Sequence, residues 1–431
     1  MKIFIGPVEI CGIAEGLNHG FSELGVPSKV VLSSPHPHGY ITSNGFWLYS
    51  LWKKLGSVRK DTARSKIIKK VFYVVLHVFF TWLVFFHSLF SFKVYIFLYS
   101  RSITDSKLEL LLLRLFRKKV IFISVGTDTR PPYMSGAFLP YADADKDIYE
   151  LSKVVSKYKQ KIALHEKYAD YIVNAPGTGQ FHNKKFINWF SVGVPKLLQD
   201  VSCDKSSESA PMRILHCPSN PTAKGSGVIS DVIDNLKSKG HRIDFIKIEN
   251  VPNDVVLDQL SRCDFVIDQL YSDTPLAVFA TEAAHFGKPA VVGGYFSSDI
   301  NKFVTFDDIP PSLYVSPENI EEAVEKMITD DHFRLELGRK AKSFVDSKWT
   351  PRDVASRYMR LINDSVPETW WCDPQTITYV YGAGLPRWAT ARMVRGMVER
   401  FGVQSLKVSD KPQLEHELLN MAGLSDFSTH D

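Results

Sequence analysis

The pattern of apolar and polar residues along this chain predicts secondary-structure elements in the repeating order strand, turn, helix, strand. The clearest example covers residues 264–294, where an apolar run at 265–267 precedes a polar turn at 272–275. Small and apolar residues then recur at helical spacing until the Gly-Lys-Pro stop at 287–289, and another apolar run begins at 290. This order predicts a βαβ unit with parallel strands.

The same alternation occurs in both halves of the chain. Apolar runs at 2–5, 28–32, 94–99, 119–125 and 171–173 predict the strands of a first α/β domain, and a new series starts at 213. The Ser-rich stretch between them has no periodicity, which is typical of a linker. We therefore predict two Rossmann-like domains with parallel sheets and a ligand crevice at the carboxyl ends of the strands. The predicted boundaries are 1–199 for the first domain, 200–211 for the linker, 212–365 for the second domain and 366–431 for a C-terminal extension.

The extension contains two tryptophans, at 370 and 371, a Gly-Ala-Gly turn at 382–384 and two predicted helices. It matches no motif. Bracing of the two domains and assembly with other chains both remain open as its role.

A basic stretch directly precedes a long uncharged one. Residues 53–70 are rich in Lys and Arg, and residues 71–92 carry no charged side chain. Three hypotheses compete: a membrane span, an internal core helix, and a helix lying on a membrane surface. A span would interrupt the α/β domain, which resumes at 94. We favour surface docking of segment 53–92, with lysines on anionic head groups.

Composition narrows the classes of function. The chain has 431 residues and a net charge of +5, without the clustered basic and aromatic residues of a nucleic-acid binder. Its five cysteines are scattered, which favours a reducing compartment over a disulfide or zinc framework. The first ten residues are interpreted as a β-strand and not as a signal peptide. We expect a cytoplasmic protein.

The second half resembles the donor domain of family 4 glycosyltransferases. The Lys-Gly pair at 224–225 matches their diphosphate-binding loop, Glu282 matches the second Glu of their Glu-x7-Glu motif, and residues 287–289 match their Gly-x-Pro turn. Thr274 replaces the first Glu, and the Arg often found a few residues before the Lys is missing. The resemblance implies the GT-B fold, an α/β architecture with a cleft between two domains, in an enzyme of bacterial polysaccharide or glycolipid synthesis.

The resemblance also implies roles for individual residues. Lys224 would stabilise the leaving diphosphate, Glu282 would bind the ribose, and Asp128 with Arg130 would match a Gly-x-Asp-x-Arg loop facing the acceptor. These roles make Lys224, Glu282 and Asp128 the catalytic candidates. The implied donor-binding residues are Ser219, Asn220, Lys224, Gly225, Glu249, Asp268, Gln269, Thr274, Leu276, Ala277 and Glu282; those on the acceptor side are Gly12, Glu15, Asp128 and Arg130.

No metal or other cofactor is expected. The Asp-Ala-Asp at 143–145 follows no apolar strand, so a solvated helix start is favoured over a metal site. The expected function is transfer of a sugar, with retention, from a nucleotide-diphosphate sugar to a lipid-linked or glycan acceptor on the inner face of the cytoplasmic membrane. The alternatives are a non-catalytic nucleotide-sugar binder or assembly subunit, and a nucleotide-sugar epimerase.

Overall fold

A computed structural model of the protein places one parallel β-sheet in each half of the chain. The structure describes residues 1–34, 46–61, 67–142, 147–196, 210–274 and 277–424. The Asp-Ala-Asp stretch at 143–145, most of the predicted linker and the predicted donor contact Leu276 lie outside these ranges.

The first half forms a strand-rich domain. Its strands are β1 (Ile3–Gly6), β2 (Ser28–Val30), β3 (Val94–Leu98), β4 (Lys119–Ile123), β5 (Tyr171–Asn174) and β6 (Phe186–Asn188). Its helices are α1 (Ile13–Glu23), α2 (Trp47–Asp61), α3 (Ile67–Ser91), α4 (Lys107–Leu115), α5 (Asp147–Tyr168) and α6 (Trp189–Val192), with short 3₁₀ helices at Pro132–Met134, Gly136–Ala142 and Pro176–Thr178.

The second half and the extension complete the fold. The strands are β7 (Met212–His216), β8 (Ile243–Lys247), β9 (Phe265–Gln269), β10 (Ala290–Gly293), β11 (Leu313–Val315) and β12 (Trp371–Cys372). The helices are α7 (Pro221–Lys224), α8 (Ser226–Ser238), α9 (Asn253–Arg262), α10 (Val278–His285), α11 (Ile300–Phe303), α12 (Ile320–Thr329), α13 (Asp331–Lys348), α14 (Pro351–Ile362), α15 (Arg387–Phe401) and α16 (Pro412–Met421).

The two sheets are separate and almost entirely parallel. The first has the order β12-β6-β5-β4-β3-β1-β2, and the second has the order β11-β10-β9-β7-β8. Only β12, which pairs with β6, runs antiparallel among the strands of the described residues. The predicted α/β class with two parallel sheets is confirmed.

Strand periodicity explains the core of the first domain. Successive side chains of a strand point to opposite faces of the sheet. One face carries the aromatic side chains Phe4, Tyr95, Phe97 and Phe122. The other face carries the aliphatic side chains Ile5, Ile96 and Ile121. Helices α2, α3 and α5 cover the aromatic face, whereas α1 and α14 cover the aliphatic face.

Helix α14 belongs with the first domain in space, although the predicted boundary at 365 assigned it to the second. A Cβ atom on Gly20 of α1 would lie 1.9 Å from the carbonyl oxygen of Pro351, so the two helices touch backbone to backbone. Arg357 Nη1 also donates to the carbonyl of Val192 at 3.2 Å. An amphipathic pattern such as that of α14 predicts that one side of the helix is buried but carries no information on which sheet that side covers.

Helix α3 packs against the rest of the protein through one side only. The structure therefore does not support the hypothesis of an internal core helix. Its buried side includes the polar residues His77, Thr81 and Ser88. Trp52 Nε1 donates to Thr81 Oγ1 at 2.8 Å, and the hydroxyls of Thr81 and Ser88 donate to carbonyls of α3 itself. Among the described residues, Nε2 of His77 has no hydrogen-bond partner. Apolar side chains cover the opposite, exposed side: Val71, Phe72, Val74, Val75, Val78, Phe79, Leu83, Phe86 and Phe90. Among the described residues, α3 alone has the length and apolar composition to cross a membrane.

The exposed side of α3 continues onto α4. The rings of Phe90 and Phe116 meet edge to face at 5.9 Å, and Leu108, Leu111 and Leu115 are exposed beside them. We call the exposed apolar side chains of α3 together with these four residues the outer apolar face. Monomeric soluble proteins rarely expose so large a contiguous apolar surface without a function for it.

The C-terminal extension contacts both domains. Strand β12 joins the first sheet, and residues 379–384, the crossing segment, then pass between the domains. The amide of Gly136 donates to the carbonyl of Ala383, and the amide of Gly384 donates to the carbonyl of Tyr271, both at 2.8 Å. Helix α15 then packs against α5 of the first domain. The extension therefore braces the two domains, one of the two roles that the sequence left open.

Candidate functional site

The carboxyl ends of the two sheets face each other and enclose a cavity of about 500 Å³. Loops that follow β1, β4, β7, β8 and β9 line this central cavity, in agreement with the general position of ligands in open α/β sheets. Its lining includes the side chains of Cys11, Trp189, Cys217, Ser219, Lys224, Asn253, Thr274, Phe279 and Glu282.

Lys224 reaches the cavity because of the glycine that follows it. Gly225 has φ +72°, and a Cβ atom there would lie 2.6 Å from the Leu270 side chain. The close approach lets the Lys224 carbonyl accept the amide of Leu270 at 3.0 Å, which joins the loop to β9. The Lys224 ammonium lies 3.3 Å from Oδ1 of the buried Asp268. The predicted lysine is thus held at the cavity by two contacts to the β9 region.

Glu282 lies on the opposite side of the same cavity and is paired across the domains. Its carboxylate is 3% exposed. Lys196, at the end of the first domain, places its ammonium 2.6 Å from Glu282 Oε1. Asn253 Nδ2 donates to the same oxygen at 3.0 Å. Neither contact uses Oε2.

The rest of the central cavity is mostly apolar. Trp189 and Phe279 supply aromatic surface. Burial raises the pKa of both lining cysteines, Cys11 and Cys217, to about 11. The raised pKa values favour the thiol form of both side chains at neutral pH.

A smaller side cavity of about 260 Å³ adjoins the central one. The two share Ser219, Lys224, Thr274 and Ala277. Arg130 of the first domain and Asp273 of the second meet in the wall of the side cavity, with Arg130 Nε 2.6 Å from Asp273 Oδ2 and Nη2 in contact with the same oxygen. Both side chains are buried. Gln269, Asn220, Ala383 and Gly384 also line this cavity.

Both cavities meet at the amino end of helix α10. Ala277 precedes the helix and makes no side-chain cap, so α10 begins without a side-chain acceptor for its first amides. The amides and the helix dipole favour an anion at this position. Lys224 lines both cavities beside it.

Asp128 does not face either cavity. It is buried, and its carboxylate accepts hydrogen bonds from Ser100 Oγ at 2.6 Å and from the amide of Val125 at 3.0 Å. Burial raises the pKa of this carboxyl. The side chain fixes the turn after β4 and lines neither cavity, so the structure gives no support to its predicted catalytic and acceptor roles, which stay predictions. Arg130, two residues on, does reach the side cavity.

The first loop faces the cavity through different residues from those expected. Gly12 begins α1 with φ +83°, and Glu9 replaces a side-chain cap by accepting the amides of Ala14 and Glu15. Burial and the neighbouring Glu9 raise the pKa of Glu15. Ile10, Cys11 and Ile13 line the central cavity, whereas Gly12 and Glu15 line neither cavity.

The remaining donor candidates divide into two groups. Ser219, Asn220, Gln269, Thr274 and Ala277 line one or both cavities. Glu249 lines neither cavity; it pairs with Lys247 at 3.1 Å. Asp268 lies beneath Lys224 without lining either cavity, and within the described residues its Oδ2 has no hydrogen-bond partner.

Sequence reasoning missed the residues that cross the cleft. The sequence pattern predicted no role for Lys196, Asn253 or Asp273. A lone lysine near a linker carries no pattern, so no sequence signal identifies Lys196. Among the described residues, no group of three or more His, Cys, Asp or Glu side chains is placed to hold a metal ion.

Comparison with known proteins identifies the fold. No protein-family model matches the chain, and no curated protein sequence matches it. Many solved structures do match. One is the catalytic domain of starch synthase IV from Arabidopsis thaliana bound to ADP and acarbose, with a TM-score of 0.51, 11% identity, and coverage of 84% of this chain and 99% of that one. Another is sucrose-phosphate synthase from Thermosynechococcus elongatus, with a TM-score of 0.49, 11% identity and coverage of 84% and 98%.

The two parallel sheets, the cleft between their carboxyl ends and the match to the starch synthase domain define a GT-B fold. The fold class predicted from the sequence is therefore confirmed.

Proposed function

We propose that this protein is a family 4 glycosyltransferase that moves a sugar from a nucleotide-diphosphate sugar to an acceptor at a membrane. One observation carries the proposal. Lys224 and Glu282, far apart in sequence and on different elements, line one cavity between the carboxyl ends of two parallel sheets. The starch synthase domain with the same fold binds ADP.

The nucleoside lies in the central cavity. The Glu282 carboxylate, which lines this cavity, accepts the ribose hydroxyls. Trp189 and Phe279 provide aromatic surface for the base. The diphosphate then lies between Lys224 and the amino end of α10.

The reaction breaks the bond between the anomeric carbon and the oxygen of the β-phosphate. The electron pair leaves with the nucleoside diphosphate, and Lys224 with the first amides of α10 stabilises that charge. The acceptor hydroxyl attacks the anomeric carbon from the same face, and its proton passes to the departing phosphate oxygen. The configuration is retained. This scheme requires neither a metal nor a protein general base.

The acceptor is reached at the membrane surface. The outer apolar face enters the lipid boundary, while basic side chains at its edge, Lys54, Lys69 and Lys70, lie on anionic head groups. A lipid-linked glycan precursor is the acceptor class that fits this position. The protein then acts on the cytoplasmic face of the membrane.

Separate Lys224→Ala and Glu282→Ala variants test the site. Each loses one charged contact, so turnover of the nucleotide sugar should fall roughly ten- to a hundredfold, about 1.5–3 kcal/mol. Release of nucleoside diphosphate measures turnover. Lys237→Ala and Glu322→Ala, exposed residues of the same domain, are the matched controls and should keep full activity.

Unchanged turnover in both site variants would refute the proposed site. Tight donor binding without turnover on any lipid-linked acceptor would favour a non-catalytic binder. An altered sugar in the absence of acceptor would favour an epimerase. Loss of activity in a metal chelator would contradict the metal-free scheme.

A further inference from the structure

We propose that the side cavity holds the sugar being transferred and that the C-terminal crossing segment decides which sugars fit. This inference rests on the function proposed above. It assigns a role in substrate selection to an extension that the sequence could not interpret.

The first argument is position. The side cavity joins the central cavity at Lys224, Thr274 and Ala277, where the diphosphate is placed. A nucleoside bound on the Glu282 side therefore directs whatever is attached to its diphosphate into the side cavity.

The second argument is chemistry. The cavity wall contains Arg130, Asp273 and Gln269, all buried and all able to hydrogen-bond. Arg130 and Asp273 pair with each other, so the wall offers hydrogen-bonding groups while their charges cancel. A neutral, hydroxyl-rich ring fits this wall better than a sugar acid does.

The third argument is the wall made by the extension. Ala383 and Gly384 line the cavity. Ala383 is fixed by a backbone bridge to Ser135 of the first domain, and Gly384 is hydrogen-bonded to Tyr271 of the second. Gly384 has φ +72°, and a Cβ atom there would lie 3.1 Å from both Ala223 and Gly136. The crossing segment is therefore hydrogen-bonded to both domains. Because Ala383 and Gly384 are small residues, they do not fill the side cavity.

The test fills the cavity without changing the backbone. Ala383→Leu places a larger side chain on the extension side, and Ala137→Leu does so from the first domain, where Ala137 also lines the cavity. Gln375→Leu, exposed on the extension and lining neither cavity, is the control. Titration calorimetry measures binding of UDP, ADP and GDP, each alone and as its glucose ester.

Both cavity variants should bind the free nucleotide as the wild type does, which also shows that they fold. They should bind the glucose ester about tenfold or more weakly, because an overpacked contact excludes the sugar. Equal affinity of wild type and both variants for the ester would overturn the inference while leaving the proposed function intact. A wild-type protein that binds neither nucleotide nor ester would overturn both.

Discussion

The cleft and the outer apolar face depart from the usual distribution of residues in opposite ways. In the cleft, charged side chains are buried: Arg130 with Asp273, and Lys196 with Glu282. On the outer apolar face, valines, leucines and phenylalanines are exposed, while the polar side of α3 is buried.

We infer from this difference between the two regions that each binds a different kind of partner. Buried charges are costly unless they are paired, and exposed apolar surface is costly unless something covers it. The cleft satisfies its charges largely within the protein and keeps a polar space for a ligand. Among the described residues nothing covers the outer apolar face, and the membrane surface proposed above would cover it.

The largest expected effect comes from adding charge to the outer apolar face. The double variant Val75→Glu/Phe79→Glu should reduce affinity for anionic vesicles more than about a hundredfold, since each apolar side chain withdrawn from water contributes about 1.5–3 kcal/mol. Val75 is 62% exposed and Phe79 57%, so folding should be unaffected. Vesicle co-sedimentation measures binding.

Leu335→Glu is the control for this variant. Leu335 is 69% exposed on α13, outside the outer apolar face, and its replacement should leave vesicle binding unchanged. Vesicle binding that survives the double variant would mean that another part of the chain docks, and the comparison between the two regions would fail.

The second effect concerns the ion pair in the wall of the side cavity, Arg130 with Asp273. Arg130→Ala leaves Asp273 buried without its cation and should lower the free energy of unfolding by about 3–5 kcal/mol. The double variant Arg130→Met/Asp273→Leu removes both charges and should recover most of that loss. Arg339→Ala, which breaks an exposed pair with Glu336, should cost less than about 1 kcal/mol.

Denaturant unfolding measures all of these variants. If Arg130→Ala were no more destabilising than Arg339→Ala, the cleft pair would be accessible to water, and the side cavity would lack the enclosed wall assigned to it.

Most of the fold could be predicted from the sequence because its information is local. Apolar runs of strand length, with Gly and Pro stops between them, define the βαβ units without reference to distant residues. Lys224 and Glu282 were found through the resemblance to family 4 glycosyltransferases, whose motifs are also local in sequence.

The orientation of Asp128, the ion pairs across the cleft and the inward side of α3 could not be predicted, because they depend on contacts between distant segments. Whether Asp128 faced the cavity or its own turn was decided by Ser100, on the loop after the neighbouring strand. The partners Lys196 and Arg130 depend on how the domains meet. The spacing of His77, Thr81 and Ser88 matches one side of a helix, but spacing alone did not indicate that this polar side faces inward.

The smallest expected effect is the loss of unfolding free energy when the second ion pair, Lys196 with Glu282, loses its cation. Lys196→Met removes the cation from Glu282, yet Glu282 keeps the hydrogen bond from Asn253. The loss of unfolding free energy should therefore be about 1–3 kcal/mol, smaller than for Arg130→Ala. The same denaturant experiment compares the two variants directly. A loss as large as that of Arg130→Ala would mean that the hydrogen bond from Asn253 does not compensate Glu282 for the lost cation.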